Sequence, residues 1–490
     1  MSDRPNVAVV VLDTVRARDA DEAVAPTLSA LGRRGTAFAN AFSSAPWTVP
    51  SHGSLFTGTY PSEHGTHGDD PTLSPSLESL PECFDDAGYE TVGFSNNTWI
   101  TDEFGFDRGF DRLDRGWQYV QSDVDIGPVV RAKSLPRTLR AARERLFQGN
   151  PLVNVANLLY AGAIRSSGAD GGARTTDSVR EWLDGRDDDR PFFLFVNLLE
   201  PHVRYDPPRE HAEPHLPDGV SYGEAMEIRQ APRAYDVGEY DLDDEEFAAL
   251  RGLYRGEVSY VDAHLADLQS ALADAGELDD TVLAVCGDHG ENVGDHGLFG
   301  HQYNVYDTAL HVPLVLDGGP FVGGDRRTEL VQLLDLPVTL LDAAGIDAPA
   351  FRDRQRGRSL HPGAASDARE AVFAEYLAPQ PPLSTLESRF GAAAERVADR
   401  YRTLRTVRTE RWKYVRAGDG QRELYRIDRD PGETTDRSDD ARRVVERLDA
   451  RLDRRLSSFE RAGSVAGDAA DPDTDISEAT LERLEELGYR

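Results

Sequence analysis

The chain has 490 residues, enough for one large α/β domain with a smaller companion or for two to four domains of average size. A formal net charge of −33 and a pI near 4.7 argue against a nucleic-acid partner, which would need clustered cations. Lys133 and Lys413 are the only lysines, and the acidic residues are spread along the chain, so the surface suits a salt-loaded cytoplasm in which screening acts over about 3 Å at 1 M salt.

Residues 1–6 run directly into an apolar segment with no basic leader or cleavage site, and the longest apolar stretch, 152–164, is short and broken by asparagines. The expectation is a soluble, cytoplasmic protein without a membrane span. Cys83 and Cys286 both fall in apolar segments, so neither a disulfide framework nor a thiolate zinc site follows.

Residues 7–12 form the continuous apolar run of a strand buried on both faces, with Asp13 and Thr14 at its carboxyl end. Ligands bind at that end of open α/β sheets. A helix is predicted at 26–34 and a strand at 36–41. The stretch APWTVPSHGSLFTG at 45–58 predicts a short helix stopped by Gly58, with Thr48 just ahead of its start and His52 four residues on, on the same side. Free amides and the positive dipole end suit a tetrahedral oxyanion there. Thr48 is thus a candidate nucleophile, although capping is the plainer role for Thr48 or Ser51. A threonine hydroxyl needs a base or a metal to react at neutral pH.

A helix at 76–87 and a strand at 91–95 follow. Residues 107–178 read as an irregular insertion over the sheet. A buried strand at 192–199 ends in Glu200, Pro201 and His202, and a polar, Pro-rich insertion occupies 204–241. A long helix at 245–276 leads to a buried strand at 281–286, which is capped by GDHGE at 287–291. A strand is expected at 312–316 and a helix at 330–344. Beyond Pro362 the alternating segments 371–376, 401–408, 412–415 and 423–427 predict an antiparallel sheet, followed by helices at 440–461 and 477–487. The expected division is 1–362 and 363–490.

Asp13, His202 and the pair Asp288–His289 thus stand at three strand ends. Carboxylates with one imidazole suit a divalent cation such as Mn²⁺, Mg²⁺ or Ca²⁺, and Zn²⁺ less, because no thiolates are at hand. Asp13, Asp288, His289 and the Thr48 oxygen make one candidate site, which supplies the help that Thr48 lacks. Taken singly, Asp13 could cap a turn, and His202, His296, His301 and His311 could be ordinary loop histidines.

The motifs resemble those of the sulfatase family within the alkaline-phosphatase-like superfamily: LDTVR at 12–16, TVPSHGSLFTGTYPSEHG at 48–65, GFDRGFD at 105–111, PFFLFVNLLEPH at 191–202, DDTVLAVCGDHGENVGDHGLFG at 279–300 and ELYRIDRDPGE towards the C-terminus. The resemblance implies a large, mostly parallel sheet sandwiched by helices, with a smaller C-terminal antiparallel-sheet subdomain. It implies one divalent metal on Asp13, Asp288 and His289, with Thr14 in place of a second aspartate. Thr48 matches the nucleophile, His52 the arginine four residues on, and His202 a substrate-side histidine. His301 falls where many members have a sulfate-holding lysine, and Asn96 and Asn97 fall where a lysine and a histidine are usual.

The departures shape the expected activity. Thr48 cannot become the formylglycine that familiar sulfatases make from Cys or Ser, and it resembles the threonine of superfamily phosphodiesterases and phosphoglycol transferases. With cations missing at His52, Asn96 and His301, a singly charged sulfate ester or phosphodiester is favoured over a phosphate monoester dianion. The resulting expectation is a hydrolase of sulfate or phosphate esters acting on a small-molecule or glycan substrate. The alternatives are a phosphotransferase on glycan or lipid-head groups and a non-catalytic binder of anionic glycans.

Overall fold

The computed structural model describes residues 4–116, 171–364 and 368–461. Most of the first expected insertion and the helix expected at 477–487 lie outside the described residues.

The apolar runs form strands because each has two faces to bury. In β1 (Asn6–Leu12) Val7, Val9 and Val11 enter one core cluster, while Ala8, Val10 and Leu12 enter another on the opposite face. The remaining strands of this sheet are β2 (Thr36–Phe42), β3 (Glu90–Ser95), β4 (Arg112–Arg115), β5 (Phe192–Leu198), β6 (Thr281–Gly287), β9 (His311–Val312), β10 (Leu314–Asp317) and β11 (Asp325–Gln332). Two short strands, β7 (Asn292–Val293) and β8 (Phe299–Gly300), pair outside it. The large sheet runs β11-β2-β10-β6-β1-β5-β3-β4, with β9 beside β2. Its pairs are parallel except where β10 meets β2 and β6 and where β9 meets β2.

The even-numbered face of β1 packs with the 31-residue helix Asp244–Asp274, whose residues Leu250, Leu253, Val261 and Leu265 are fully buried. The other face carries the helices Thr48–Thr57 and Leu336–Ala343. Its core continues without a break into Val372, Ala374, Tyr376 and Val415 of a four-stranded antiparallel sheet, β12 (Val372–Tyr376), β13 (Leu404–Arg408), β14 (Lys413–Ala417) and β15 (Arg422–Tyr425). The helix Arg442–Arg461 lies against that sheet. Both cysteines are free and buried.

Four local expectations are corrected. Thr48 is the first helical residue, not the one ahead of it, and the extended Trp47 occupies the cap position. The helix expected at 330–344 is strand β11 to Gln332, then Leu336–Ala343. Pro337 in the first turn marks that start, since a proline inside a longer helix would remove a hydrogen bond and clash with the preceding turn. The helix expected at 76–87 begins at Leu80, where Ser79 and Glu82 form a capping box. Pro313 divides the strand expected at 312–316 into β9 and β10.

Candidate active site

Strands β6, β1 and β5 are adjacent and in register, with Leu12 opposite both Gly287 and Leu198. The residues following these strands therefore emerge side by side. Asp13 donates its amide to the Leu198 carbonyl at 3.0 Å. Thr14 turns the chain with a φ of 57° and donates its amide to Asp288 Oδ1 at 3.1 Å. Gly290 is required where it stands, because a Cβ there would lie 2.1 Å from the Thr308 carbonyl oxygen.

Asp13, Asp288 and His289 are buried and each offers a ligand atom within 4.8 Å of the others. Thr48 reaches this group from the start of its helix. Its Oγ1 lies 3.3 Å from His289 Nε2 and accepts from Asn97 Nδ2 at 3.4 Å. Because the Gly290 carbonyl can only accept, His289 Nδ1, 2.9 Å away, carries the ring proton. His289 Nε2 then presents a lone pair, 3.5 Å from Asp288 Oδ2 and 3.8 Å from Asp13 Oδ1. Those two carboxylate oxygens have no hydrogen-bond partner among the described residues.

Burial, reinforced by the neighbouring Asp288, pushes the Asp13 carboxyl well above its ordinary value. Burial likewise raises Asp288 to about 6 and lowers His289 to about 3. Two dry carboxylates beside a neutral imidazole, with unpartnered oxygens turned towards its lone pair, are the donor set of a hard divalent cation. The residues fit the metal that the family resemblance implies.

The other predicted residues take distinct places. His52 is fully buried with its Nδ1 donating to the Thr48 carbonyl at 2.9 Å, and its ring meets Phe195 edge-on. Burial lowers its pKa, so it contributes no positive charge at neutral pH. His202 and His301 face each other with ring centroids 5.4 Å apart, and His301 lies 4.6 Å from the His289 ring. Burial pushes both down to about 3. His296 and His311 serve elsewhere, stacked on Tyr306 and Phe42 respectively.

Two further residues belong to the site. Asn97, read from the sequence only as part of a segment short of cations, donates to Asp13 Oδ2 at 2.6 Å as well as to Thr48. Its place just beyond the end of β3 was the available signal. Glu291, the last residue of GDHGE, is fully buried beside His301, and burial raises it to about 7. Asn96 points elsewhere, against Gly116 and Gly171.

The comparisons with known proteins bear on the family and the fold. A family model described as Sulfatase matches residues 5–346, and one described as N-sulphoglucosamine sulphohydrolase, C-terminal, matches residues 294–461. The chain is similar to the choline-sulfatase of Rhizobium meliloti (strain 1021), 25% identical over 468 residues, covering 90% of this chain and 84% of that protein. It is also similar to the arylsulfatase of Clostridium perfringens (strain 13 / Type A), 24% identical over 379 residues and covering 73% and 78%. Among solved structures, the phosphonate monoester hydrolase of Agrobacterium radiobacter superposes with a TM-score of 0.67 at 23% identity, covering 94% and 97% of the two chains. A 2-O GAG sulfatase superposes with a TM-score of 0.66 at 20% identity, covering 96% of each.

Proposed function

The chain belongs to the sulfatase family, and we propose that it is a metal-dependent hydrolase of sulfate or phosphate esters with Thr48 as its nucleophile. The observation that carries the reading is the position of Thr48 Oγ1, at a helix start and 3.3 Å from His289 Nε2 within the Asp13, Asp288 and His289 group. Those three residues would hold one divalent cation, Mn²⁺, Mg²⁺ or Ca²⁺ in preference to Zn²⁺. When bound, such an ion stabilises negative charge and favours ionisation of an adjacent hydroxyl.

The protein's own groups do the rest. Asn97 orients the Thr48 oxygen, and His52 steadies the first turn through the Thr48 carbonyl. Thr48 Oγ, its proton released to solvent, attacks the sulfur or phosphorus in line, forming one ester bond as the leaving oxygen departs with the electron pair of the other. His202 or His301, having taken up a proton as the anionic ester binds, gives that oxygen the proton, and water then cleaves the threonine ester. With both histidines and His52 neutral, the pocket suits a singly charged group. That supports sulfate monoesters and, as a second reading favoured by the phosphonate monoester hydrolase fold, phosphodiesters or phosphonate monoesters. The names of the relatives make a small organic sulfate or a glycan sulfate the first substrates to try.

The test uses the purified chain in molar salt, chosen for its formal net charge of −33, with Mn²⁺, Mg²⁺ or Ca²⁺ in turn. An aryl sulfate, an aryl phosphodiester and a phosphonate monoester are offered. Turnover of at least one is expected, and Thr48→Ala should lower kcat by about 10³-fold or more while leaving the Tm unchanged. Binding of anionic esters with no turnover under any metal would sink the enzyme reading in favour of a glycan binder.

A further inference from the structure

Thr14 holds its φ of 57° in the left-handed region, where a β-branched residue is strained. Such a conformation persists only where the surroundings over-determine it. The Thr14 side chain does not do so, because its buried hydroxyl has no hydrogen-bond partner among the described residues. The turn matters to the site. It leads out of Asp13 and aims the Thr14 amide at Asp288 Oδ1, at 3.1 Å, while Asp288 Oδ2 stays on the side of His289 Nε2, at 3.5 Å.

What grips the turn comes from the far face of the sheet. Tyr254 is fully buried in the helix Asp244–Asp274, which packs on the face of β1 opposite the helix of Thr48. Its hydroxyl donates to the Thr14 carbonyl at 2.8 Å and accepts from the Arg16 amide at 3.0 Å. A carbonyl can only accept and an amide can only donate, so both roles of that oxygen are fixed. The Arg16 guanidinium lies over the ring of the same tyrosine, 4.5 Å from its centroid, and is tied to Asp19 at 2.6 Å and to Asp295 at 2.9 Å. Ring and hydroxyl therefore have separable tasks: the ring packs against Arg16, and the hydroxyl closes the turn.

We propose that Tyr254 is a positioning residue for the metal centre: its hydroxyl, inserted between the Thr14 carbonyl and the Arg16 amide, holds the strained turn that sets Asp13 and steers Asp288. The inference rests on the reading of Asp13, Asp288 and His289 as metal ligands. Thr48 approaches that group from one face of the sheet and Tyr254 braces it from the other, acting through the backbone of residues 14–16. Without the hydroxyl, two buried backbone groups lose this partner. Thr14 can then relax towards an ordinary φ and carry its amide away from Asp288.

Tyr254→Phe tests this on the full chain, because it keeps the ring over Arg16 and removes one oxygen. Mn²⁺ alone is the probe, titrated calorimetrically into the metal-free protein at pH 7.5, so neither substrate nor turnover enters. The variant should bind Mn²⁺ about ten-fold more weakly, or worse. Leu265→Val, a cavity-forming change at an equally buried position of the same helix, should lower the Tm and leave the Mn²⁺ affinity within about two-fold. Hydrogen exchange gives the second measurement. In Tyr254→Phe, protection should fall over residues 12–17 and stay as in wild type over β6 and the helix Asp244–Asp274. An affinity within about two-fold of wild type, unchanged exchange over 12–17, or an affinity loss matched by Leu265→Val would overturn the proposal. Wild-type protein that binds none of Mn²⁺, Mg²⁺ and Ca²⁺ would overturn the metal reading itself, and this inference with it, so the two failures are told apart.

Discussion

At the scale of single residues, the site works by holding polar atoms dry and aimed. Asn97 is the clearest case, since one amide nitrogen donates to both Asp13 and Thr48. Asn97→Leu keeps the branched shape and removes the donor, so kcat should fall by about 10²-fold; it also removes the oxygen that accepts from the Trp99 amide at 3.0 Å, so a lower Tm should accompany the loss, read from steady-state kinetics and thermal melts. The carboxylates make a second prediction. Burial raises Asp288 from its ordinary 3.8 to about 6 and Asp13 in the same direction. In the metal-free chain these groups favour the folded state below pH 4, and that contribution is lost as pH rises through about 6. Metal needs the ionised forms, so its affinity rises over the same interval. The increase in Tm on adding Mn²⁺ should therefore be larger at pH 7.5 than at pH 5, and an equal increase at both would contradict the assignment of these two ligands. From the sequence, Asp13, Asp288 and His289 could be picked out because a buried strand seldom ends in such residues. Asn97 could not, because an asparagine after a strand reads equally well as a turn.

At the scale of elements, the helix Thr48–Thr57 presents the proposed nucleophile at its first residue, where the opening amides precede the first intrahelical bond, from Ser51 to Trp47. Gly58 ends it with a φ of 66°, and a Cβ there would also come within 2.8 Å of Gln355 Cβ. Gly58→Ala should destabilise the chain by about 1–2 kcal/mol from the left-handed backbone alone, and more if Gln355 cannot yield, measured by urea denaturation. That stop was legible in the sequence, since a glycine after a short helical pattern has a defined geometric use. The start was displaced by one residue because local pattern does not report which residue first takes helical angles. The β11 error has another cause: the apolar run at 330–341 satisfies both periodicities, and its first three residues complete a strand because β2 offers them a parallel edge.

At the scale of the molecule, the C-terminal sheet holds the loop that carries His301. Tyr376 on β12 donates to Gln302 Oε1 at 2.5 Å, and Tyr306 donates to Glu423 on β15 at 3.1 Å. Lys413 on β14, fully buried, bonds Asp307 at 2.7 Å and Glu433 at 2.8 Å. Burial pushes the Asp307 carboxyl up, but Lys413 and Arg408 outweigh it and hold the group below its ordinary value. Lys413→Met would leave the buried Glu433 carboxylate without its cation and Asp307 with Arg408 alone, with an expected loss of about 3–5 kcal/mol in denaturant titrations. Loosening of the 301–307 loop should lower kcat in the same variant under conditions where it remains folded.

By itself the sequence determined the alternation of apolar strands and amphipathic helices, the placement of Asp13, His202 and Asp288–His289 at strand ends, and the family, because each rests on periodicity or on contiguous motifs. The tertiary structure alone decided which strands are neighbours, hence that β6, β1 and β5 bring those ends together. It also decided that Asn97 and Glu291 join them and that a distant sheet braces His301. The physical reason is that such contacts join residues tens to hundreds of positions apart, through packing and hydrogen bonds that leave no local pattern in the chain.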